Sequence, residues 1–419
     1  MAVKLGNGNW AVKEDKLLAY NDNSGLFFNK EFDFSRGSTA TYVGRDGLIA
    51  SAASGVPRID FTNDTKGHLL LEPSSTNVIT YSNGFDDSSW DETNVTVTEN
   101  SLTSPDGTNN AWLLQVTSNN ERHFLRVGSA TTSTVSISIF AKKGTTDYAY
   151  FFCGGTTNIQ AIFDLSDGSV TDSGAIGSGS SLTSVSSISL GNGWYRLQIS
   201  GTFSSPPANR IGILPYYQST FDGNPATSWQ GNGENIYIYG AMEENNSYST
   251  SYIPTTGAAS TRNADVCNNS GSAQDFNSEE GVLYAEIAAL TQDLGSSNEI
   301  ISISDGTLDN RINIYHKKNL SNTIAYGIES NNVIHFFESF TISDITSFHK
   351  VAFKFKQNDC ALWVDGNEVD TQTSVSMPSG LNSLQFDVGN GTSDFYGKVR
   401  NVQVFTEALT DEQLEKLTS

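Results

Sequence analysis

A chain of 419 residues is longer than the roughly 250–300 at which a single core stops growing, so two or three domains are expected. Acidic side chains outnumber basic ones 46 to 24, a net charge of −22, which excludes a phosphate-binding surface and with it nucleic acid as a partner. Only 17% of residues are charged against a usual value of about 25%, and 37 glycines fill part of the gap, which favours short strands and many turns over long helices.

Hydrophobic residues at 37%, with 16 Tyr and 23 Phe, suffice for real cores. After Met1 no apolar stretch of signal-peptide length follows, and no window is apolar enough to span a bilayer, so membrane insertion is not expected. Cys153, Cys267 and Cys360 are odd in number and far apart, which fits free thiols made in a cytosol better than a disulfide framework or a zinc site.

The first eighty residues interleave apolar groups with turn signals at Asp46-Gly47, Ser54-Gly55, Pro57 and Pro73. Trp10, Leu17, Leu18, Phe27, Phe28, Phe32 and Phe34 are spaced too brokenly for a self-contained core, so residues 1–80 read as an irregular, hairpin-rich attachment segment that buries these groups against partner chains. Period-two alternation then marks strands: Val135, Ile137 and Ile139 alternate with Ser136 and Ser138, and a hairpin signal lies at residues 164–170. The Ser/Gly-rich residues 171–193 read as loops and a weak strand before the strand at 194–199, all within one sandwich over 81–262. The polar, small-residued stretch 257–276 reads as an interdomain linker, drawn at 263–273. Beyond it, over 274–419, Val351, Phe353 and Phe355 alternate, Ala361 to Val364 runs into the Asp365-Gly366 turn, and Leu384, Phe386 and Val388 repeat the pattern. Thr410 with Gln413 forms a capping box, and Leu409 and Leu414 occupy the staple positions of one short C-terminal helix. The fold class is therefore all-β: two antiparallel sandwiches, each with its own alternating strands and expected to fold independently, preceded by the attachment segment.

Several segments resemble bacteriophage virion proteins: RGSTATYVGRDGLIASAASGVPRIDF (36–61), GHLLLEPSSTNVITYSNGF (67–85) and IYIYGAMEENNSYSTSYIPTTGAASTRNADV (236–266). SISIFAKKG, FDLSDGSV and NGWYRLQIS look like strands of a carbohydrate-binding-module-like jelly roll, and EEGVLYAEI with HKVAFKFKQNDCALWVDGNEV resembles a concanavalin A-like, laminin-G-type sandwich. Ser75 departs from the Arg common in the EPSRTN stretch of that family, and Ala50 from its usual Glu. The resemblance implies a tail fibre or a head fibre or capsid decoration, assembled in the host cytoplasm and displayed on the virion. Its implied partners are other virion proteins, itself as a homotrimer, and host-surface glycans. Domains of this kind often hold a structural calcium, for which Asp164 and Asp167 are the candidates; no other cofactor is implied.

No HExxH, GxSxG, P-loop or CxxC motif occurs, and the doublets Asp86-Asp87, Glu243-Glu244 and Glu279-Glu280 project to opposite faces of a strand, so the chain does not read as an enzyme. The alternatives are a glycan depolymerase with a motif-less active site and a purely structural cement with no ligand. Glycan recognition needs exposed aromatic faces, for which Trp229, Trp112, Tyr216 and Tyr217 are the candidates.

Overall fold

The period-two segments form antiparallel strands in a computed structural model that describes residues 10–13, 16–19, 30–128, 132–155, 157–204, 210–222, 228–292 and 298–419. The only helix among the described residues, Asp411–Thr418, starts with the expected capping box: the Gln413 amide donates to Thr410 Oγ1 at 3.4 Å and the Thr410 amide to Gln413 Oε1 at 2.9 Å. Leu414 is buried, and Leu409 and Leu417 pack with it on the sheet's outer face against Val282, Tyr284 and Trp363. No helix of the described residues is long and apolar enough to cross a membrane.

The chain divides into two units, each built from separated segments. One comprises Ala40–Ser51 and Ser74–Arg262; the other comprises Met1–Thr39, Ala52–Pro73 and Asn263–Ser419. In the first, two six-stranded sheets face each other. One runs in the order Val95–Leu102, Ala111–Val116, Asn235–Glu244, Thr134–Lys143, Trp194–Phe203, Ser180–Gly191; the other runs Val170–Ile176, Asn158–Asp164, Tyr148–Gly154, Arg210–Tyr216, Phe124–Gly128, Trp90–Thr93. Between them lie Val135, Ile137, Ile139, Phe151, Phe163, Leu197 and Ile213, each at most 1% exposed.

In the second unit a seven-stranded sheet and a five-stranded sheet enclose the core. The larger sheet contains the expected strands Glu280–Ala289, His349–Lys356 and Cys360–Val364 together with Gly397–Phe405, but it continues into His68–Leu71 and Ile59–Asp60. Leu69 pairs with Val399, and Leu69 and Leu71 are buried in the same core as Phe353 and Val402. Lys30–Ser35 pairs with Val266–Asn268, placing Phe34 opposite Cys267. Phe32 is 3% exposed, with its ring 5.4 Å from that of Phe386, and half-buried Phe34 packs on the same core.

This corrects the division drawn from sequence. Phe32 is buried by its own chain, and Phe34 packs half-buried on the same core, because the strand Lys30–Ser35 joins the C-terminal sandwich through Val266–Asn268. Phe27 and Phe28 lie outside the described residues, as do the side chains of Trp10, Leu17 and Leu18. The expected linker is likewise structural: it holds the strands Ser260–Arg262 and Val266–Asn268 and the buried Asp265.

Asp265 is the hub of an ion network that links the recurring sequence motifs. Its Oδ1 accepts from Arg36 Nη1 at 3.0 Å and its Oδ2 from Arg58 Nη2 at 2.5 Å, while the Glu72 amide donates to Oδ2 at 2.8 Å. Arg58 also reaches Glu72 Oε2 at 2.7 Å, and Arg36 donates to the Ala53 and Val56 carbonyls. Both guanidiniums and the Asp265 carboxylate have fully buried side chains, a placement tolerated only when every charge is paired.

Candidate functional site

The second sheet of the first unit carries an aromatic layer on the face turned away from the sandwich core. Along Tyr148–Gly154, Ala149, Phe151 and Cys153 point inward, so strand geometry sends Tyr148, Tyr150 and Phe152 outward. Register then builds rows across the sheet. Arg126, Gly212, Phe152 and Gln160 lie side by side, followed by Leu214, Tyr150, Ile162 and Asp172, and then by Tyr216, Tyr148 and Asp164. Gly212 is required where it stands: a Cβ there would lie 2.2 Å from Phe152 Cζ, so only glycine lets that ring lie across the neighbouring strand.

At one end of this face Tyr217 and Trp229 pack in a tilted pair, ring centroids 4.7 Å apart and planes inclined by 31°. Trp229 is held from behind by His123, whose ring meets it edge-on at 4.7 Å and whose Nδ1 lies 2.8 Å from the Asn94 carbonyl. Tyr216, 7% exposed, packs between Tyr150 at 5.4 Å and Tyr217 at 4.8 Å. Phe221 lies edge-on to Tyr150 at 5.4 Å, and its amide donates to Asp172 Oδ2 at 2.9 Å. Of this set Tyr217 is the most open, at 37% exposure; Trp229, Tyr148, Phe124 and Phe221 are half-buried.

Polar groups border the rings. Tyr217 donates its hydroxyl to Asp222 Oδ2 at 2.9 Å; burial and that carboxylate both push the phenol pKa up, so Tyr217 stays a neutral donor. The Tyr150 hydroxyl donates to Gln160 Oε1, and burial foremost raises its pKa too. Arg126 lies over the Phe124 ring at 4.1 Å and forms a two-pronged contact with exposed Asp91 at 2.7 and 2.5 Å. The face thus offers apolar ring surfaces beside neutral and charged groups able to bind hydroxyls.

Of the sequence candidates, the structure brings Trp229, Tyr217 and Tyr216 together, with Tyr216 as support beneath the exposed pair. Trp112 is placed elsewhere. It is 3% exposed, its indole N–H donates to the Asn83 carbonyl at 2.9 Å, and its ring meets Phe85 at 6.0 Å. Trp112 follows the inward parity of Leu114 and Val116 and is a core residue, not a surface platform. Tyr148, Tyr150, Phe152 and Phe124 were missed. A strand with aromatics at both parities reads as a fully buried run, although that double occupancy was itself the signal of a second aromatic face.

Asp164 and Asp167 form local turns. Asp164 Oδ1 accepts from the Ser166 amide at 2.8 Å and Asp167 Oδ1 from the Ser169 amide at 2.8 Å. Among the described residues no group of three or more His, Cys, Asp or Glu side chains is placed to hold a metal ion.

No protein family model matches the chain, and no curated protein matches it. Among solved structures, the Ruminococcus gnavus IT-sialidase CBM40 bound to α2,3-sialyllactose aligns with 36% of this chain and 94% of its own, at 15% identity and a TM-score of 0.30. Mouse laminin α1 chain domains LG4-5 align with 71% of this chain and 93% of theirs, at 11% identity and a TM-score of 0.23. A putative carbohydrate binding protein from Bacteroides ovatus aligns with 78% of this chain and 80% of its own, at 10% identity and a TM-score of 0.27.

Proposed function

We propose that the chain is a non-enzymatic glycan-binding protein whose outward aromatic face, led by Tyr217 and Trp229, stacks against sugar rings. The observation that carries this reading is the closely packed, tilted Tyr217–Trp229 pair at the surface, continuous with Tyr148 and Phe221 and bordered by Asp222, Arg126 and Asp91. Pyranose rings present C–H faces that lie flat on aromatic rings, while their hydroxyls need short polar partners at the rim. The setting proposed for this activity is a bacteriophage particle, assembled in the host cytoplasm, with the protein displayed as an oligomeric tail or head fibre that contacts host-surface glycans. Support for that setting is the motif resemblance, whose residues Arg36, Arg58, Glu72 and Asp265 form one buried network.

The test is a glycan array followed by titration calorimetry on the strongest hit. Tyr217→Ala, which removes an exposed ring, is expected to weaken binding roughly tenfold or more while leaving the melting temperature nearly unchanged. Trp229→Ala should weaken it further with some loss of stability, because its ring also packs on His123. Undiminished binding by Tyr217→Ala, or release of cleaved sugar from the bound glycan, would overturn the reading.

A further inference from the structure

The same unit holds a cavity that the aromatic face does not use. Three turns meet over the outer face of the first sheet: Asp46-Gly47, Pro105-Asp106-Gly107 and Gly191-Asn192-Gly193. They border a half-open pocket of about 440 Å³. Backbone bonds fix its border. The Ile49 amide donates to the Pro105 carbonyl at 2.8 Å, and the Trp194 indole N–H donates to the Thr103 carbonyl at 3.1 Å. Leu48, Leu102, Pro105, Leu190 and the Trp194 ring give the cavity apolar walls.

One cation lines it. Lys142 stands beside Trp194 in the strand register and beside Tyr237 on its other side, so it projects from the same outer face. Its ammonium has no hydrogen-bond or ion-pair partner among the described residues, in a chain where acidic groups outnumber basic ones 46 to 24. The neighbouring Lys143 does find one, Asp147. The nearest acids in the bordering turns are engaged within them. Asp106 accepts from Ser104, Thr108, Asn110 and Tyr239, and Asp46 Oδ1 accepts from the Leu48 amide. The Asn192 side-chain amide, at the rim, is likewise without a partner among the described residues.

We propose that this cavity binds a sugar bearing a carboxylate. The carboxylate would pair with Lys142, the C–H face of the ring would lie on the half-buried Leu48, Leu102 and Leu190, with buried Trp194 as the floor behind them, and a hydroxyl would reach the Asn192 amide. The volume falls within the range of small-molecule sites, about 300–1,000 Å³. An unpaired ammonium beside apolar walls selects a ligand that is both anionic and amphipathic, and a free amide at the rim adds the need for a hydroxyl. This site stands apart from the Tyr217–Trp229 face, so either can fail without the other.

The test is titration of the full chain with glucuronate, glucose and butyrate, read by calorimetry and by saturation-transfer NMR. Glucuronate is expected to bind at least about tenfold more tightly than either comparator. Lys142→Met keeps the apolar stem and removes the charge; it should abolish that preference while leaving the melting temperature unchanged. Asn192→Gly suits the left-handed backbone at this position, φ 50°, and should weaken glucuronate by a smaller factor. Tyr217→Ala should leave glucuronate binding intact. Equal affinity for glucose would overturn the charge assignment, and equal affinity for butyrate would overturn the sugar. Glucuronate binding unaffected by Lys142→Met, or absent at millimolar concentration, would overturn the site.

Discussion

Glu243 makes the stability of the first unit depend on pH in a direction opposite to most acidic groups. Its side chain enters the sandwich interior at 0% exposure, and neither carboxylate oxygen has a hydrogen-bond partner among the described residues. Burial alone pushes its pKa from 4.5 up to about 8. A folded-state value above the unfolded one means that the folded protein holds the proton longer. The contribution is therefore fully present below about pH 4.5 and is lost as pH rises through about 8. At about 1.4 kcal/mol per unit, the difference amounts to about 3 kcal/mol by neutral pH and nearly 5 kcal/mol above pH 8, as orders of magnitude. Glu243→Gln removes the titration. The assay is denaturant unfolding followed by tryptophan fluorescence, since Trp90, Trp112, Trp194 and Trp229 all belong to this unit. Wild type should lose stability steadily between about pH 5 and 8, and the variant should show a flatter profile whatever its absolute stability. Parallel slopes in the two proteins would refute the assignment of that titration to Glu243.

Two further outcomes follow from the second unit. Asp265→Ala leaves Arg36 and Arg58 buried without their shared carboxylate, so a loss of about 3–5 kcal/mol is expected in the unfolding of that unit; a change below about 1 kcal/mol would show that water reaches the site. A fragment of residues 274–419 lacks His68–Leu71, Lys30–Ser35 and Cys267, and so exposes the core face they cover; it should melt far below the full chain or aggregate, as circular dichroism and light scattering would reveal, whereas a full-chain melting temperature would restore the autonomy expected from sequence.

Local rules carried the sequence reading as far as local causes reach. The capping box at Thr410 and Gln413 is a contact between residues three apart, and the alternation of Val135, Ile137 and Ile139 needs only the strand's own geometry. The pairing of Leu69 with Val399 has no such local cause. GHLLLE looks the same whether its strand joins a neighbour in sequence or one at the far end of the chain, so the discontinuous unit was illegible. Residues 257–276 looked like a linker because they are polar, yet part of that polarity is a buried charge whose partners, Arg36 and Arg58, lie more than two hundred positions away. The aromatic site was half legible for the same reason. Trp229 and Tyr217 sit near one another in sequence, whereas Tyr148, Tyr150 and Phe152 reach the face only through the register of Tyr148–Gly154 with Arg210–Tyr216.

The doublet Glu243-Glu244 marks the boundary between the two kinds of inference. Strand parity alone places the two carboxylates on opposite faces, and so removes them as an acid and base pair across one sugar ring. Parity says nothing of what each face supplies. Glu244 accepts from the Ser75 hydroxyl at 2.6 Å and from the Thr250 amide at 2.9 Å, both neutral donors. Those bonds favour the charged form of Glu244, although burial outweighs them and raises its pKa overall. Glu243, one residue earlier, has burial and no compensating donor. Two identical side chains in adjacent positions thus differ in their chemistry through partners that the fold brings from residues 75 and 250, which is why the pH response is expected from Glu243 and was visible only once the sheets were assembled.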